Sequence, residues 1–385
     1  MFFGDKMKKI KIFEAFAGIG AQSAAFKKAN INYEVVGISE WFINALLAYD
    51  AINYGDKSFE TELTTKQKRA YLKHFKFSKD SVNECNLDTL KDDEIDDLYR
   101  AHIRSKNKGS ITDVKLSSLP RIDMLVYSFP CQDLSTGGKT AGMAKGSGTR
   151  SGLLWEIERI LEDLEKNNKL PKALLLENVK ALLAKSNEED FKQWKKFLDK
   201  IGYHNEEPLI LDAQNFGIPQ HRERCFMLSQ LANKKNKIVQ DFPEKLEKIR
   251  KKYLDEKKDI TYFIHLDPND HKDEQDAAQL NNTKSREIMW KVNKREVIDN
   301  NLLLHTIHCN LDRSNNAGMF KYSGPKGNTY RLLTMREAFL LMGFTEKQYE
   351  AVKKLGLSYR KTNKLIGNSI VVDVLAAQFE ALYKK

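Results

Sequence analysis

The sequence is poor in cysteine and has no long apolar run, and each absence excludes a class of protein. Its four cysteines, Cys85, Cys131, Cys225 and Cys309, lie far apart and form no CxxC pair. This spacing argues against a disulfide framework and predicts reduced thiols in a cytoplasmic protein. We also find no signal peptide and no apolar run approaching the ~18 residues of a membrane span, so the sequence predicts no association with a membrane.

Positive charge, by contrast, is in excess. The 64 lysine and arginine residues outnumber the 53 acidic ones and give a formal net charge of +11. A basic surface attracts polyanions, chiefly nucleic acids, because it neutralises their charge and releases counterions. Many basic proteins bind no nucleic acid, so the charge favours such a partner only modestly.

Short apolar runs alternate with helical patterns over most of the chain. Such alternation is typical of a doubly wound α/β sheet, with helices on both faces. The predicted strands cover residues 9–15, 33–39, 122–129, 173–176, 208–212 and 225–228, and predicted helices include 21–29, 42–49 and 371–383.

Two regions interrupt this alternation. Residues 53–107 are polar and predict an inserted helical excursion, and residues 233–330 show a second change of composition. We therefore predict a catalytic and cofactor-binding domain over residues 1–232 and a smaller domain over 233–330. Residues 331–385 then return to the first domain, because apolar periodicity resumes there.

Cys131 follows an apolar run and Pro130, a pattern that predicts a buried strand ending at the edge of a sheet. Open α/β sheets bind their ligands at this edge, so the thiol is a candidate nucleophile. The alternative is a buried structural cysteine, which is the more common fate of this residue type.

A glycine turn over residues 16–20 ends the first predicted strand and opens a helix. Glycines at such a turn let the backbone approach a ligand closely, although an ordinary tight turn explains them equally well. The next strand ends at Glu40 and Trp41, where an acid can bind a ribose diol and an indole can stack on adenine or pack in the core. The third glycine of a dinucleotide motif is replaced by Ser23, which favours an adenosine-bearing cofactor without a phosphate, S-adenosylmethionine.

Acidic and basic residues follow the later strands. Glu177 follows the run 173–176 and is expected at the same sheet edge as Cys131, where burial can tune it for proton transfer. Gln220, Arg222 and Arg224 alternate and so share one face, unless they form an ordinary solvated edge. A cysteine, a glutamate and arginines beside an adenosine pocket suit methyl transfer to a pyrimidine.

In sequence order, these segments resemble the motifs of the DNA (cytosine-5) methyltransferase family over nearly the whole chain. The matching segments are Phe16-Ala17-Gly18-Ile19-Gly20, Glu40-Trp41, Ser128-Phe129-Pro130-Cys131-Gln132, Arg150-Ser151-Gly152-Leu153-Leu154-Trp155, Glu177-Asn178-Val179, Gln220-x-Arg222-x-Arg224, Leu333-Thr334-Met335-Arg336-Glu337 and Gly367-Asn368-Ser369. The resemblance implies a class I S-adenosylmethionine-dependent methyltransferase fold, Rossmann-like with a mixed doubly wound sheet, and a smaller DNA-recognition domain.

The resemblance also implies roles for individual residues. Cys131 is expected to add to C6 of cytosine, with Glu177 as proton donor and Arg222 and Arg224 beside the base. The expected cofactor-binding residues are Phe16, Gly18, Gly20, Glu40, Trp41, Ser110, Ile111, Pro130, Leu153, Asn368 and Ser369, and the expected DNA contacts are Ser135, Lys139, Arg150, Gln220 and Thr306.

The third family motif departs from the usual pattern, because Ser110 stands where an acid usually meets the adenine amino group, with Asp113 nearby. The glycine-rich and lysine-containing stretch 132–150 predicts a lid over a flipped base, or else an ordinary surface loop. His305, His308 and Cys309 are a weak candidate for a metal site, and no metal is expected.

The family implies a prokaryotic type II restriction-modification methyltransferase that acts on double-stranded DNA, and one site per chain favours a monomer. A cognate restriction endonuclease would be its functional partner without a stable complex. Two alternatives are a tRNA cytosine methyltransferase and a catalytically silent DNA-binding protein that keeps the fold as a scaffold. The long basic recognition region favours DNA over tRNA.

Overall fold

The structure is a computed structural model, and it describes residues 9–55, 57–115, 119–130, 134, 142–232, 239–265, 267–279, 283–285, 288, 303–311, 318–325 and 330–384. The strands within these residues are β1 (Ile10–Ala15), β2 (Tyr33–Ser39), β3 (Met124–Tyr127), β4 (Ala173–Val179), β5 (Tyr203–Asn205), β6 (Leu209–Asp212), β7 (Gln220–His221), β8 (Glu223–Leu231), β9 (Leu304–His305), β10 (Phe320–Lys321) and β11 (Tyr330–Arg331).

The α-helices within the same residues begin after the first strand and continue to the end of the chain. They are α1 (Ala21–Lys28), α2 (Ile43–Asn53), α3 (Thr65–Leu72), α4 (Asp92–Arg104), α5 (Leu154–Lys166), α6 (Glu188–Lys200), α7 (Phe242–Asp255), α8 (Lys272–Ala277), α9 (Met335–Leu340), α10 (Glu346–Lys353), α11 (Tyr359–Gly367) and α12 (Val372–Tyr383).

A mixed seven-stranded sheet organises the molecule, with strand order β2-β1-β3-β4-β8-β5 and β6 paired to β8. Strands β2, β1, β3 and β4 are parallel, whereas β8 runs antiparallel to β4 and to both of its other partners. This architecture confirms the predicted mixed α/β fold. Its parallel half brings the carboxyl ends of four strands to one edge, which is where open α/β sheets bind ligands.

β3 and the first four residues of β4 are apolar because helices cover both faces of the sheet. All four residues of β3 are buried, as are the first six of β4. On one face, Phe26 of α1 stacks on Phe379 of α12 with ring centroids 4.0 Å apart. On the other face, Trp194 of α6 packs edge to face against Tyr127 of β3. The two helical layers hold the strand ends rigidly in place.

The polar insertion predicted over residues 53–107 contains helices α3 and α4. Helix α4 is amphipathic and buries Ile95 and Leu98 against its neighbours. Arg104 at the end of α4 donates a 2.8 Å hydrogen bond from Nε to the buried Asp50 carboxylate of α2. The insertion is therefore fastened to the helix that follows β2.

A buried arginine attaches residues 265–275 to the C-terminal part of the chain. The Arg331 guanidinium is 1% exposed and pairs with the Glu337 carboxylate of α9 at 2.9 Å. It also donates to the Gln275 side chain and to the His265 carbonyl, at 2.8 and 2.7 Å. All of these acceptors satisfy a charge that would be costly to bury unpaired.

Within the described residues, the C-terminal stretch Tyr359–Tyr383 has the length and hydropathy that a membrane span would need. The mean hydropathy of its most apolar 18 residues is 1.4, but 83% of those residues are buried inside the protein. Its apolar character reflects the core, because α12 packs against α1 and α7.

Candidate active site

A cavity of about 430 Å³ lies at the carboxyl ends of the parallel strands. Its walls are the segments that follow β1, β2, β3 and β4, together with parts of the insertion and of α11. The lining residues include Phe16, Gly18, Ile19, Ser39, Glu40, Trp41, Phe42, Ala45, Lys76, Ser81, Val82, Ser110, Ile111, Thr112, Ser128, Phe129, Pro130, Gly148, Thr149, Arg150, Leu153, Glu177, Asn178, Val179, Arg222, Arg224, Leu365, Gly367, Asn368 and Ser369.

The glycine turn and the acid after β2 meet at one end of the cavity. Gly18 has φ +57°, and a β-carbon added there would meet no atom within 4 Å, so its backbone faces open space. The Gly18 N–H donates to the Glu40 carboxylate at 2.8 Å, and the Phe42 N–H donates to the other oxygen at 2.7 Å. Burial raises the pKa of Glu40 to about 7. This end therefore offers an open backbone beside an acid that titrates near neutral pH.

Gly20 was expected in the cofactor pocket, and the structure corrects this expectation. It does not line the cavity, and a β-carbon there would lie 2.7 Å from the Asn53 amide nitrogen and 3.0 Å from the Tyr49 ring. Gly20 is needed because α2 approaches the turn closely, whereas Gly18 alone borders the open space.

Serine, not an acid, occupies the third-motif position at the cavity wall. The Ser110 hydroxyl caps the short helix that follows it, where it accepts from the Thr112 N–H at 3.4 Å, and both residues line the cavity with Ile111. Asp113 instead pairs with Lys76 at 3.0 Å and is not among the lining residues. Asp113 therefore does not take the place of the acid that the third motif usually carries.

Glu177 lies at the opposite end of the cavity, near the end of β4. Its side chain is 6% exposed, and its two oxygens face different neighbours. The Ser128 hydroxyl donates to one oxygen, and Arg224 Nε lies 3.5 Å from the other. A buried carboxylate held between a hydroxyl and a guanidinium is well placed to exchange a proton with a ligand.

Two side chains hold the segment that leads to Cys131. The Asn178 amide donates to the Phe129 carbonyl at 3.0 Å, and the Ser151 hydroxyl donates to the Pro130 carbonyl at 2.8 Å. Cys131 itself lies outside the described residues, but Pro130, to which it is bonded, lines the cavity.

Arg222 and Gln220 each hold backbone segments together. Arg222 borders the cavity, and its guanidinium donates to the carbonyls of Ile307, Gly367 and Ser369 at 2.7 to 3.0 Å. These bonds favour a positioning role, and the expected catalytic role stays a prediction.

Gln220 was expected to contact DNA, but its side chain is fully buried. It donates to the Leu341 carbonyl at 2.9 Å and accepts from the Ile307 N–H at 3.0 Å. A fully buried amide that is satisfied by the protein cannot reach a nucleic acid, so this expectation was wrong.

The other residues expected to contact DNA fall into two groups. Arg150 lines the cavity, and the half-buried Thr306 donates from its hydroxyl to the His221 carbonyl at 2.8 Å. Ser135 and Lys139 lie outside the described residues. Among the described residues, no group of three or more His, Cys, Asp and Glu is arranged to hold a metal ion.

Residues that sequence reasoning missed complete the cavity. Ser128 precedes the Pro-Cys pair by two positions, and its hydroxyl contact with Glu177 has no local sequence signal. Lys76, Ser81 and Val82 come from the polar insertion and line the cavity beside Trp41. Only the pairing of the insertion with the segment after β2 brings them there.

Comparison with known proteins identifies the family. The model of the C-5 cytosine-specific DNA methylase family matches residues 69–384. The orphan methyltransferase M.SssI of Spiroplasma monobiae is 36% identical in an alignment that covers 97% of this chain and 97% of that protein. The type II methyltransferase M2.ScrFI of Lactococcus lactis subsp. cremoris is 35% identical in an alignment that covers 97% of this chain and 99% of the relative.

A solved structure supports the fold independently of close sequence similarity. The Dnmt2 methyltransferase of S. pombe superposes with a TM-score of 0.62 at 20% identity, covering 98% of this chain and 100% of that chain. At this identity the likeness shows the fold alone, whereas the family match and the two relatives cover most of the sequence. The chain therefore belongs to the C-5 cytosine-specific DNA methylase family and is a DNA (cytosine-5) methyltransferase.

Proposed function

We propose that the protein transfers a methyl group from S-adenosylmethionine to C5 of a flipped cytosine within a specific double-stranded DNA sequence. The observation that carries this proposal is the shared cavity. Glu40 and Gly18 line it at the ends of β2 and β1, and the Glu177–Arg224 pair lines it where β4 pairs with β8, with Pro130 after β3. A methyl donor and a base can therefore meet within one cavity.

The residues at the first end fit S-adenosylmethionine. The open space beside Gly18 leaves room for a ligand against the backbone, and the Glu40 carboxylate can accept from ribose hydroxyls on its remaining lone pairs. Phe16, Trp41 and Ile111 supply apolar surface for an adenine. The volume of the cavity falls in the usual range for small-molecule sites. When bound, the cofactor supplies an electrophilic methyl group.

Cys131 is the proposed nucleophile. C5 of cytosine is a poor nucleophile because its electrons belong to an aromatic ring. Addition of the Cys131 thiolate to C6 interrupts that aromaticity and makes C5 electron-rich, in the manner of an enamine. After C5 is alkylated, loss of its proton and departure of the thiolate from C6 restore the aromatic ring.

Glu177 and Arg224 act where charge develops during the addition. Negative charge moves through the ring toward N3 and O2 as the thiolate attacks C6. Protonated Glu177 donates to N3, and the Arg224 guanidinium stabilises O2. Their 3.5 Å separation supports this division of roles, because the two groups can face adjacent atoms of one ring. Arg222 contributes indirectly by holding the wall formed by Gly367 and Ser369.

Double-stranded DNA is the proposed partner, with the base flipped into the cavity because C5 and C6 are inaccessible within the stack. Residues 233–330 form the proposed recognition domain, and the net charge of +11 supports contacts with phosphates. Arg150 at the cavity wall is proposed to contact the DNA backbone beside the flipped base, as are Ser135 and Lys139 of the same glycine-rich stretch. Thr306, which lies within residues 233–330, is likewise proposed to contact DNA.

The protein is further proposed to be a cytoplasmic monomer that protects DNA from a cognate restriction endonuclease. The type II naming of the Lactococcus relative supports this, although the Spiroplasma relative is named an orphan enzyme. Resistance of plasmid DNA to methylation-sensitive nucleases after expression of the protein would support protection.

One assay tests the proposed reaction directly. Purified protein and S-adenosylmethionine are incubated separately with duplex DNA and with tRNA, and 5-methylcytosine is quantified by mass spectrometry. We expect methylation of DNA at one short sequence, mapped by bisulfite sequencing. Methylation of tRNA alone would overturn the choice of substrate, and absence of methylation with this donor would overturn the proposed cofactor.

The Ser128 hydroxyl is expected to position Glu177. Replacing Ser128 with alanine removes the hydrogen-bond donor to one oxygen of the Glu177 carboxylate. The free energy of a hydrogen bond to a charged group corresponds to a roughly tenfold loss of kcat. Single-turnover kinetics should show this loss while the Kd for the cofactor is unchanged. Ser128→Thr, which keeps a hydroxyl, is expected to retain most of the rate, and equal activity of the alanine variant would contradict the positioning role.

Cofactor affinity is expected to increase with pH near neutrality. Because burial raises the pKa of Glu40 to about 7, the carboxylate is mostly protonated below that pH and mostly ionised above it. The ionised form accepts from ribose hydroxyls, so affinity for S-adenosylhomocysteine should rise up to about tenfold between about pH 6 and pH 8. Calorimetric titration of wild type and Glu40→Gln separates this effect from titration of the ligand. If wild type and Glu40→Gln showed the same pH dependence of affinity, the effect would come from a group other than Glu40.

A further inference from the structure

A loop of the insertion, residues 78–83, is built onto the segment that carries Glu40 and Trp41. The Ser78 N–H donates to the Trp41 carbonyl at 2.8 Å, and the Ile43 N–H donates to the Ser78 carbonyl at 2.9 Å. These backbone bonds place the 78–83 loop beside the end of the cavity that the glycine turn and the acid occupy.

The turn of this loop is shaped by one carboxylate. Asp80 accepts from the N–H groups of Val82 and Asn83 at 2.7 and 2.8 Å, and from the Asn83 side-chain amide at 2.8 Å. Ser81 adopts φ +66°, a conformation that is uncommon outside glycine. The loop therefore has one defined shape, and a strained residue at a cavity wall is a reason to look for a function.

Val82 is an exposed apolar side chain of this loop. It is 54% exposed, yet it lines the cavity together with Ser81, Trp41 and Ile111. A single exposed valine on a protein surface is common and needs no explanation. A valine on the wall of a ligand cavity, however, is removed from water when a ligand binds, and this burial favours binding.

A lysine from the C-terminal part of the chain also contacts the 78–83 loop. The Lys364 ammonium of α11 donates to the Asp80 carbonyl, 284 residues away in sequence, and lies 5.0 Å from the centroid of the Phe42 ring. The next residue, Leu365, lines the cavity. The loop is thus held between the segment after β2 and α11.

We propose that the 78–83 loop forms part of the cofactor site, with Val82 packing against the adenosine of S-adenosylmethionine and Lys364 acting as a positioning residue for the loop. This inference rests on the proposed cofactor. It assigns a binding role to the insertion, in addition to its structural connection through α4. Val82 contributes by burial of apolar surface, and Lys364 contributes by holding the Asp80 turn in place.

The test is a calorimetric titration of the full-length protein with S-adenosylhomocysteine. Val82→Ser is expected to raise the Kd about three- to tenfold, because partial burial of a valine side chain is lost, whereas Val82→Ile should bind at least as tightly as wild type. Leu254→Ser is the matched control, because Leu254 is 37% exposed on α7 and does not line the cavity. Its Kd should equal that of wild type.

A double-mutant cycle tests Lys364. If Lys364 acts through the loop, Lys364→Met should raise the Kd in the wild-type background and add little in the Val82→Ser background. A merely structural role would lower thermal stability without this coupling.

Additive effects would overturn the positioning role of Lys364. An unchanged Kd for Val82→Ser would overturn the role of the loop while leaving the cofactor proposal intact. Failure of the wild-type protein to bind S-adenosylhomocysteine would instead overturn the cofactor proposal itself.

Discussion

Replacement of Cys131 with alanine is expected to abolish methyl transfer to DNA while leaving the affinity for S-adenosylhomocysteine largely unchanged. The thiolate is the only proposed group that adds to C6, and without this addition C5 stays within an aromatic ring. Among the described residues that line the cavity, none is a cysteine. Product formation should fall below detection in a bisulfite or mass-spectrometric assay.

Covalent trapping sharpens this prediction. DNA carrying 5-fluorocytosine should form a stable adduct with wild type, because fluorine at C5 cannot leave as the proton does. Cys131→Ala should form none. Cys85→Ser is the matched control, because Cys85 is half-buried in the insertion and does not line the cavity. Normal 5-methylcytosine production by Cys131→Ala would contradict the assignment of Cys131 as the nucleophile.

Replacement of Glu177 with glutamine is expected to lower kcat by about 10² to 10⁴-fold, the usual contribution of a positioned general acid. Glutamine has nearly the same shape and can still donate a hydrogen bond, but it cannot transfer a proton to N3. The Ser128 and Arg224 contacts lie on the two oxygens, so the side chain should keep its place. Single-turnover measurement at saturating DNA isolates the chemical step.

A neighbouring carboxylate provides the control for Glu177. Glu223 lies at the start of β8, pairs with Lys180 at 3.0 Å and does not line the cavity. Glu223→Gln should therefore retain near-wild-type kcat. If Glu177→Gln were equally active, proton donation from this side chain could not contribute to the rate, and the addition step would need another acid.

Sequence reasoning identified the elements that depend on local patterns. Strand β2 was predicted over residues 33–39 and is observed as Tyr33–Ser39, and the last helix was predicted over 371–383 and is observed as Val372–Tyr383. Both are rich in apolar residues, so short-range periodicity is sufficient to locate them. The order of motifs likewise sufficed for the family, which the comparisons confirm.

The same reasoning failed where an alternating pattern was assumed to continue. Gln220, Arg222 and Arg224 were expected to share one face. The strand is interrupted at Arg222, between β7 and β8, so the three side chains meet different surroundings. Gln220 meets the Leu341 carbonyl, 121 residues further along the chain. No local rule contains that partner.

The sequence by itself determined the α/β class, the family and the residue types at the strand ends, because these follow from periodicity and from ordered motifs. Only the tertiary structure decided which polar side chains face the cavity, as Glu177 does, and which are buried and hydrogen-bonded to the backbone, as Gln220 is. It also brought Val82 of the insertion to the cavity and Lys364 to the Asp80 carbonyl. These outcomes depend on contacts between residues far apart in sequence, which packing selects and local propensity does not encode.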